Sequence, residues 1–387
     1  MFEIMDRDSQ EAVIKVIGVG GCGGNAVAHM IEKAVGGVEF ICANTDMQAL
    51  KKSQAKTILQ IGTDITKGLG AGARPQVGRD AALEDRDRIA EIIDGADMLF
   101  IAAGMGGGTG TGAAPIIAEV AKEMGILTVA VVTKPFAFEG KRTKIAQEGL
   151  EELSRHVDSL IVIPNEKLME VLGEDVPFLE AFKAANDVLH NAVAGIAEII
   201  NCPGMVNVDF ADVRTVMSEM GMAMMGSALA TGPNRAIMAA EQAVASPLLE
   251  DVNLANARGV LVNITASSSF KMKEYYDVMN TIKAFTAEDA TVIVGNVFDE
   301  SIGDGLRVTM VATGLNVAMA RRQQKPELRV MTQVRDGTTN QPIFSGVAED
   351  EAPAVFSSNG RRSQVEAMKM QGVEEYDIPA FLRKQAD

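Results

Sequence analysis

The sequence predicts an α/β protein: a Rossmann-like parallel-sheet domain, a long central helix, a smaller α/β domain, then a disordered linker and a short terminal peptide. Three observations carry this expectation. Apolar strand-like runs alternate with helix-like runs from Ala12 to Ile163, one amphipathic pattern continues from Phe178 to Asn201, and both patterns dissolve after Val317. The division it implies is an extension at 1–11, a first domain at 12–177, the central helix at 178–202, a second domain at 203–316, a linker at 317–373 and a terminal peptide at 374–387.

Ala12 to Val19 reads as a buried strand, broken by Gly20-Gly21-Cys22-Gly23-Gly24-Asn25 and followed by a helical run from Ala26 to Lys33. A second strand, Val38 to Ala43, ends at Asn44-Thr45-Asp46. The alternation continues through a helix at Ala81 to Asp94, a strand at Met98 to Ala102, a helix at Ala113 to Met124 and a strand at Ile126 to Thr133. Strands this continuously apolar imply a parallel sheet covered on both faces, with ligands above its C-terminal edge.

After the loop Lys134 to Arg142 come a helix to about His156 and a strand at Ser159 to Ile163. In the long helix Phe178, Phe182, Ala185, Leu189, Ala192, Ile196 and Ile199 recur every three or four residues, so one face is buried. Cys202-Pro203-Gly204 stops it. The second block places helices at Ala211 to Met220, Arg235 to Ala245 and Lys273 to Phe285, with strands at Gly259 to Ala266, Thr291 to Val297 and Arg307 to Thr313. The linker is polar with scattered prolines. The terminal residues Glu374 to Lys384 regain apolar anchors, which suits a peptide that orders on a partner, although an inert tail has the same composition.

The 387 residues are nearly half apolar and can support two cores. A net charge of −16 disfavours an extended nucleic-acid footprint, so any phosphate site must be local. No apolar run of about twenty residues and no secretory leader is visible, and Cys22, Cys42 and Cys202 lack metal-ligand spacing; the expectation is a reduced cytoplasmic protein with no metal site.

Two glycine loops carry the chemistry. Gly106-Gly107-Gly108-Thr109-Gly110-Thr111-Gly112 lies between a strand and a helix, where Cβ-free backbone N–H groups, threonine hydroxyls and a helix N-terminus cradle an anion. Pro115 suits the first turn of that helix. Gly18-Val19-Gly20-Gly21-Cys22-Gly23 matches G-x-G-x-x-G, which also fits a dinucleotide site whose ribose acid would be Asp46 or Glu39. One pyrophosphate needs one cradle, whereas two loops can surround a triphosphate. No G-x-x-x-x-G-K-[ST] is present.

The second glycine loop, Asn207-Val208-Asp209-Phe210-Ala211-Asp212, Gly20-Gly21, Asn44-Thr45-Asp46 and Asp377-Ile378-Pro379-Ala380-Phe381-Leu382 together resemble the FtsZ family of bacterial cell-division GTPases, in the tubulin/FtsZ superfamily, over all but the linker. The resemblance implies GTP, with Mg²⁺ accompanying the triphosphate. It places Gly21, Cys22, Gly23, Gly24 and Asn25 at the phosphates, with Gly107, Gly108, Thr109 and Gly110 around the terminal ones, and adds Asn44, Gly104 and Thr133 to the nucleotide set. Glu139 and Arg142 would hold ribose and phosphate, Lys141 being the alternative to Arg142 because many relatives have one more residue there. Phe182 would pack on guanine, and Asn186 and Asp187 would read its edge; a carboxylate can accept guanine's N1–H and exocyclic amine, and adenine presents no such pair.

Asp209 and Asp212 lie a full helix length from those positions. The resemblance implies that this loop enters the next subunit's pocket in a head-to-tail homopolymer, the acids polarising the attacking water with support from Asn207. It also implies a mid-cell division ring, with Asp377, Ile378, Pro379, Phe381 and Leu382 binding division proteins and membrane-tethering adaptors.

Plainer roles compete at each position. Asp209 or Asp212 could be only an N-cap, Phe182 only core, and Cys22 only a small residue in its loop. Met217, Met220, Met222, Met224 and Met225 suit core or a subunit interface. His29, His156 and His190 receive no chemistry, and Arg321-Arg322 and Arg361-Arg362 read as solvated charges. The rival functions are an NAD-dependent oxidoreductase and a nucleotide-gated scaffold that does not hydrolyse.

Overall fold

In a computed structural model the described residues are 12–173, 176–201, 208–219, 221–249, 254, 257–287 and 290–315. Strands β1 (Ile14–Val19), β2 (Val38–Asn44), β3 (Thr57–Gln60), β4 (Met98–Gly104), β5 (Leu127–Lys134) and β6 (Ser159–Pro164) are parallel in the spatial order β3-β2-β1-β4-β5-β6. Ile14 of β1 stands in register with Val38 and with Met98, so these strands end together and their C-terminal loops share one edge. That is the doubly wound order, in which ligands bind above the C-terminal ends.

The sheet continues through β7 (Gly221–Thr231), which pairs with β6 over three residues, into β10 (Gly305–Thr313), β8 (Gly259–Ala266) and β9 (Thr291–Phe298). Here the pairing is mixed: β10 is antiparallel to β7 and β8, and β8 is parallel to β9. The described residues fall in one compact unit.

Period-two alternation sorts the strand side chains between the faces. Val16, Phe100 and Val129 join one core with α1 (Gly20–Glu32), α9 (Phe178–Asn201) and α10 (Phe210–Met217). Ile17, Ile101 and Ala130 join the other with α4 (Pro75–Glu84), α5 (Arg86–Ile93), α6 (Thr109–Glu123) and α7 (Lys141–Leu153). A third core lies beneath α11 (Arg235–Val244) and α12 (Met272–Lys283). Helix α9 buries Leu189, Val193 and Ile196 in the first core, together with Leu261 of β8 and Val311 of β10.

Several boundaries differ from expectation for identifiable reasons. The single helix expected at Ala81 to Asp94 is α4 and α5, broken at Asp85, whose carboxylate accepts the Gly62 N–H at 2.7 Å and an Arg88 N–H at 2.7 Å. Both glycine loops are themselves helical: α1 starts at Gly20 rather than Ala26, and α6 at Thr109 rather than Ala113. Pro115 therefore lies inside α6 and not in its first turn, where it has no N–H to give the carbonyl four residues back.

Strand β7 escaped detection because Gly221-Met222-Ala223-Met224-Met225-Gly226 is poor in β-branched residues; the pairing with β10 makes it a strand. Met217, Met224 and Met225 are buried, so of the two expected roles, core or subunit interface, theirs is the core one. Short α2 (Met47–Lys51), α3 (Thr63–Thr66) and α8 (Asn165–Leu172) were also unforeseen. The expected extension at 1–11, the stop at Cys202-Pro203-Gly204, Met220, the linker at 317–373 and the terminal peptide at 374–387 lie outside the described residues.

Leu189 is fully buried where α9 meets the first core. Leu189→Ala is expected to cost about 2–5 kcal/mol through lost burial and a residual cavity. A urea unfolding midpoint unchanged from the parent would contradict this packing.

Candidate nucleotide site

Helices α1 and α6 begin side by side on the C-terminal edge. Neither N-cap, Val19 or Gly108, supplies a capping side chain, so the first-turn N–H groups of both helices receive no side-chain cap. Gly20 has φ +74°, and a Cβ there would stand 3.0 Å from the Gly110 nitrogen. Two positive helix ends thus converge on one place, the electrostatics that a polyanion requires.

The predicted glycines divide into two groups. Gly21, Gly24 and Gly107 have no heavy atom within 4 Å of a notional Cβ, so the space a side chain would fill is open. Gly23 packs on the Ala102 carbonyl, Gly108 on the Gly72 carbonyl and Gly110 on the Gly104 carbonyl, glycines because backbones touch there, while Gly104 packs on the Cys22 side chain. Gly20, Gly21, Gly24, Asn25 and Asn44 line a cleft of about 330 Å³.

The threonine hydroxyls are engaged within the protein. Thr109 Oγ1 lies 2.7 Å from Thr45 Oγ1, both residues buried, and Thr111 Oγ1 accepts the Gly106 N–H at 2.9 Å. Thr111, expected as a second anion donor, closes its own loop through an oxygen lone pair and keeps its hydroxyl proton to donate. Cys22 Sγ lies 3.7 Å from Thr133 Oγ1, which joins the first loop to the end of β5.

The two acids a dinucleotide could use differ in place: Asp46 lines the cleft, whereas Glu39 is paired away from it. Asp46 caps α2, accepting the Gln48 N–H at 2.8 Å, and its own N–H donates to Asn44 Oδ1 at 3.2 Å. Glu39, near the far end of β2, lies 3.7 Å from Lys15.

The loop after β5 forms another wall. Glu139 accepts the Phe136 N–H at 3.0 Å through one oxygen and an Arg142 N–H at 2.6 Å through the other. A Cβ on Gly106 would lie 2.8 Å from the Arg142 carbonyl, so the start of α7 abuts the second glycine loop. Lys141 is exposed on that same turn.

Phe182 on the first turns of α9 packs edge-to-face on buried Phe136, centroids 5.5 Å apart, and keeps 37% of its surface exposed. It is therefore not a core residue alone. Asn186 is half-buried one turn on, and Asp187 Oδ1 lies 2.7 Å from His29 Nε2 of α1 and 3.8 Å from Lys33 Nζ. His29, given no chemistry from sequence, thus has a carboxylate partner.

Asn165 was missed. It is buried at the end of β6, beside the end of β5, and its Oδ1 has no hydrogen-bond partner among the described residues. Its signal was the one Asn44 gives: an amide side chain immediately after an apolar strand.

Asp209 and Asp212 lie on the other edge of the sheet. Helix α9 leaves the β5 loop at Phe182 and ends at Asn201, which donates to the Gly37 carbonyl at 2.6 Å just before β2 starts. Arg214 and Ser218 at the end of α10 share a recess with Gly125, Leu127 and Asp158, before β5 and β6 start. Asp209 Oδ1 accepts the Asp212 N–H at 2.8 Å, so Asp209 is the N-cap of α10; Asp212 is exposed, and its carboxylate pairs with no described residue. Asn207 lies outside the described residues.

Residues 13–173 match the Tubulin/FtsZ family, GTPase domain, and residues 221–316 match the FtsZ family, C-terminal domain. The chain belongs to the FtsZ family. It is 58% identical to the cell division protein FtsZ of Pseudomonas aeruginosa and 56% identical to that of Coxiella burnetii, over 100% and 99% of both chains. Among solved structures, an FtsZ dimer of M. jannaschii aligns at 43% identity with a TM-score of 0.76, covering 79% of this chain and 89% of that one. CetZ2 of Haloferax volcanii, at 20% identity and a TM-score of 0.66, shares the fold. This is a cell-division GTPase of the tubulin superfamily, which sets aside both the oxidoreductase and the non-hydrolysing scaffold.

Gly21→Ala is expected to leave thermal stability unchanged or slightly raised, because it adds a methyl to open space in a helical turn. GTP affinity, read by fluorescent-nucleotide titration, is expected to fall at least tenfold. Unaltered affinity would remove Gly21 from the cradle.

Proposed function

We propose that GTP lies on the C-terminal edge of the sheet, its phosphates at the adjoining N-termini of α1 and α6, and that the chain polymerises head-to-tail so that Asp209 and Asp212 of one subunit complete the site of the next. The observation that carries this reading is the course of α9. Its 24 residues span about 36 Å, and the stretch from Phe182 on the nucleotide edge to Asn201 on the opposite edge covers about 30 Å of that, so the acids cannot reach their own nucleotide. A contact that joins unlike edges does not close on itself and propagates as a filament. The M. jannaschii relative, described as a dimer, supports self-association.

In this reading Gly21, Gly24 and Gly107 offer open backbone to the phosphates. Gly23, Gly104, Gly108 and Gly110 hold the two loops together, while Cys22, Asn25, Asn44, Thr109 and Thr133 form the walls. Glu139 and Arg142 serve ribose and phosphate; Arg142 is preferred to Lys141 because it is already paired with Glu139. Phe182 stacks on guanine, with Asn186, Asp187 and the unpaired Oδ1 of Asn165 facing its polar edge.

Asp209 spends one oxygen on its cap and keeps the other, and Asp212 keeps both, so two carboxylate faces remain for a neighbour's water. Asn207 supports them. Positioning and electrostatics dominate such phosphoryl transfer.

The donors of the two glycine loops are N–H and hydroxyl groups, and no cluster of three His, Cys, Asp or Glu side chains that could hold a metal occurs among the described residues. They fit an anion and not a protein-held cation, so Mg²⁺ would arrive on the triphosphate. The wider reading is a cytoplasmic mid-cell ring, with a GTPase domain at 12–177, the helix at 178–202 and the acidic domain at 203–316. Beyond these a linker at 317–373 carries the peptide at 374–387, where Asp377, Ile378, Pro379, Phe381 and Leu382 engage division proteins and membrane adaptors. No helix among the described residues is long and apolar enough to cross a membrane.

GTP turnover per subunit, measured against protein concentration beside sedimentation in GTP and GDP, tests the shared site. Turnover is expected to collapse on dilution, and Asp212→Ala to bind GTP and sediment while hydrolysing about a hundredfold more slowly. A per-subunit rate that stays flat at high dilution, or loss of GTP binding in Asp212→Ala, would overturn it.

A further inference from the structure

The hydrogen bond between His29 and Asp187 crosses from the helix that begins in the first glycine loop to the helix proposed to read the base. We infer that His29 is a positioning residue for guanine recognition, fixing the orientation of the Asp187 carboxylate before nucleotide binds. The inference rests on the proposed role of Asp187 and extends it to a residue that would not touch the nucleotide.

The geometry is specific. Asp187 is 47% exposed at its side chain, and an Asp so placed on a helix samples several rotamers, whose loss would weaken binding. His29 Nε2 sits 2.7 Å from Oδ1, and Lys33, one turn along α1, places its ammonium 3.8 Å from the same oxygen. Both groups therefore address one oxygen. Oδ2 has no hydrogen-bond partner among the described residues and stays available for the N1–H and exocyclic amine of guanine.

His29 is itself held. Its side chain is only 16% exposed, and the ring of His190 meets it edge-on at 6.3 Å with an interplanar angle of 78°. His190 lies 3.1 Å from Asn191 Oδ1 through Nδ1, and burial pushes its imidazole below the usual histidine range. A neutral ring packs against His29 without repelling it. On the other side Asp187 borders a mostly apolar cavity of about 370 Å³ between α8, α9 and β7, so the carboxylate is gripped from α1 while its flank remains accessible.

A surface ion pair whose only role was stability would contribute about 1 kcal/mol or less and would not discriminate between bases. Base selectivity is therefore the decisive readout. ITP lacks the 2-amino group of GTP, so the ratio of the two affinities reports the hydrogen bonds that an oriented Asp187 would make. His29→Ala is expected to lower the GTP-to-ITP affinity ratio about tenfold while changing ITP affinity less than threefold. His29→Gln, which keeps an N–H of similar reach, is expected to recover most of the ratio, and it stands in should His29→Ala fold poorly. In an Asp187→Ala background, His29→Ala is expected to have no further effect on the ratio.

If Asp187→Ala abolishes the ratio while His29→Ala preserves it, the positioning role fails and the base-reading role stands. If Asp187→Ala leaves the ratio intact, the base-reading role itself fails. Equal weakening of GTP and ITP by His29→Ala would mark a purely structural contact and overturn the inference.

Discussion

Two helix N-termini meet above a parallel sheet, and they can do so only where no Cβ separates them. Gly20 abuts Gly110, Gly23 rests on the Ala102 carbonyl, and Gly104 lies against Cys22. Each contact brings one backbone to the distance at which a methyl group would collide. The result is a concentration of partial positive charge supplied by backbone N–H groups, which explains how a chain of net charge −16 can offer a site to a nucleoside triphosphate. Close packing also explains why the open positions, Gly21, Gly24 and Gly107, can be spared for a ligand: the other glycines do the structural holding.

Helix α9 is the second element on which the architecture turns. It belongs to the core of the first sheet half through Leu189 and Val193, contacts strands of the second half, and has Phe182 near one edge and Asn201 at the other. A helix buried along most of its length cannot bend to bring its ends together. The separation of guanine contacts from acidic loop is therefore fixed by packing, and it is the physical basis for proposing that catalysis is shared between chains.

Much of this was legible in the sequence because it rests on short-range rules. Continuous apolar strands with glycine breaks gave the doubly wound half, the three- and four-residue spacing gave α9, and the resemblance gave the family. What escaped depended on partners distant in the chain. Asp85 breaks a helix because it serves Gly62, β7 is a strand because β10 pairs with it, and His29 matters because Asp187 lies opposite it. The helical glycine turns at Gly20 and Thr109 reverse local propensity, and neighbouring backbones impose them. The loop closure in which Thr111 accepts the Gly106 N–H was likewise invisible, because sequence shows a hydroxyl but not the amide that reaches it. Asn165 was passed over because an unpaired buried oxygen is visible only in three dimensions.

The opposed placement of the cleft and Asp212 also bears on the fate of individual nucleotides. In the proposed assembly a file of subunits always has one fewer junction than it has members, so one terminal chain holds a nucleotide with no acid against it. That chain would keep its triphosphate while interior chains lose theirs, and the two extremities would differ in chemistry as well as in shape. Short files would be the poorest catalysts per chain, and age along a file would be written in which of its nucleotides remain uncleaved.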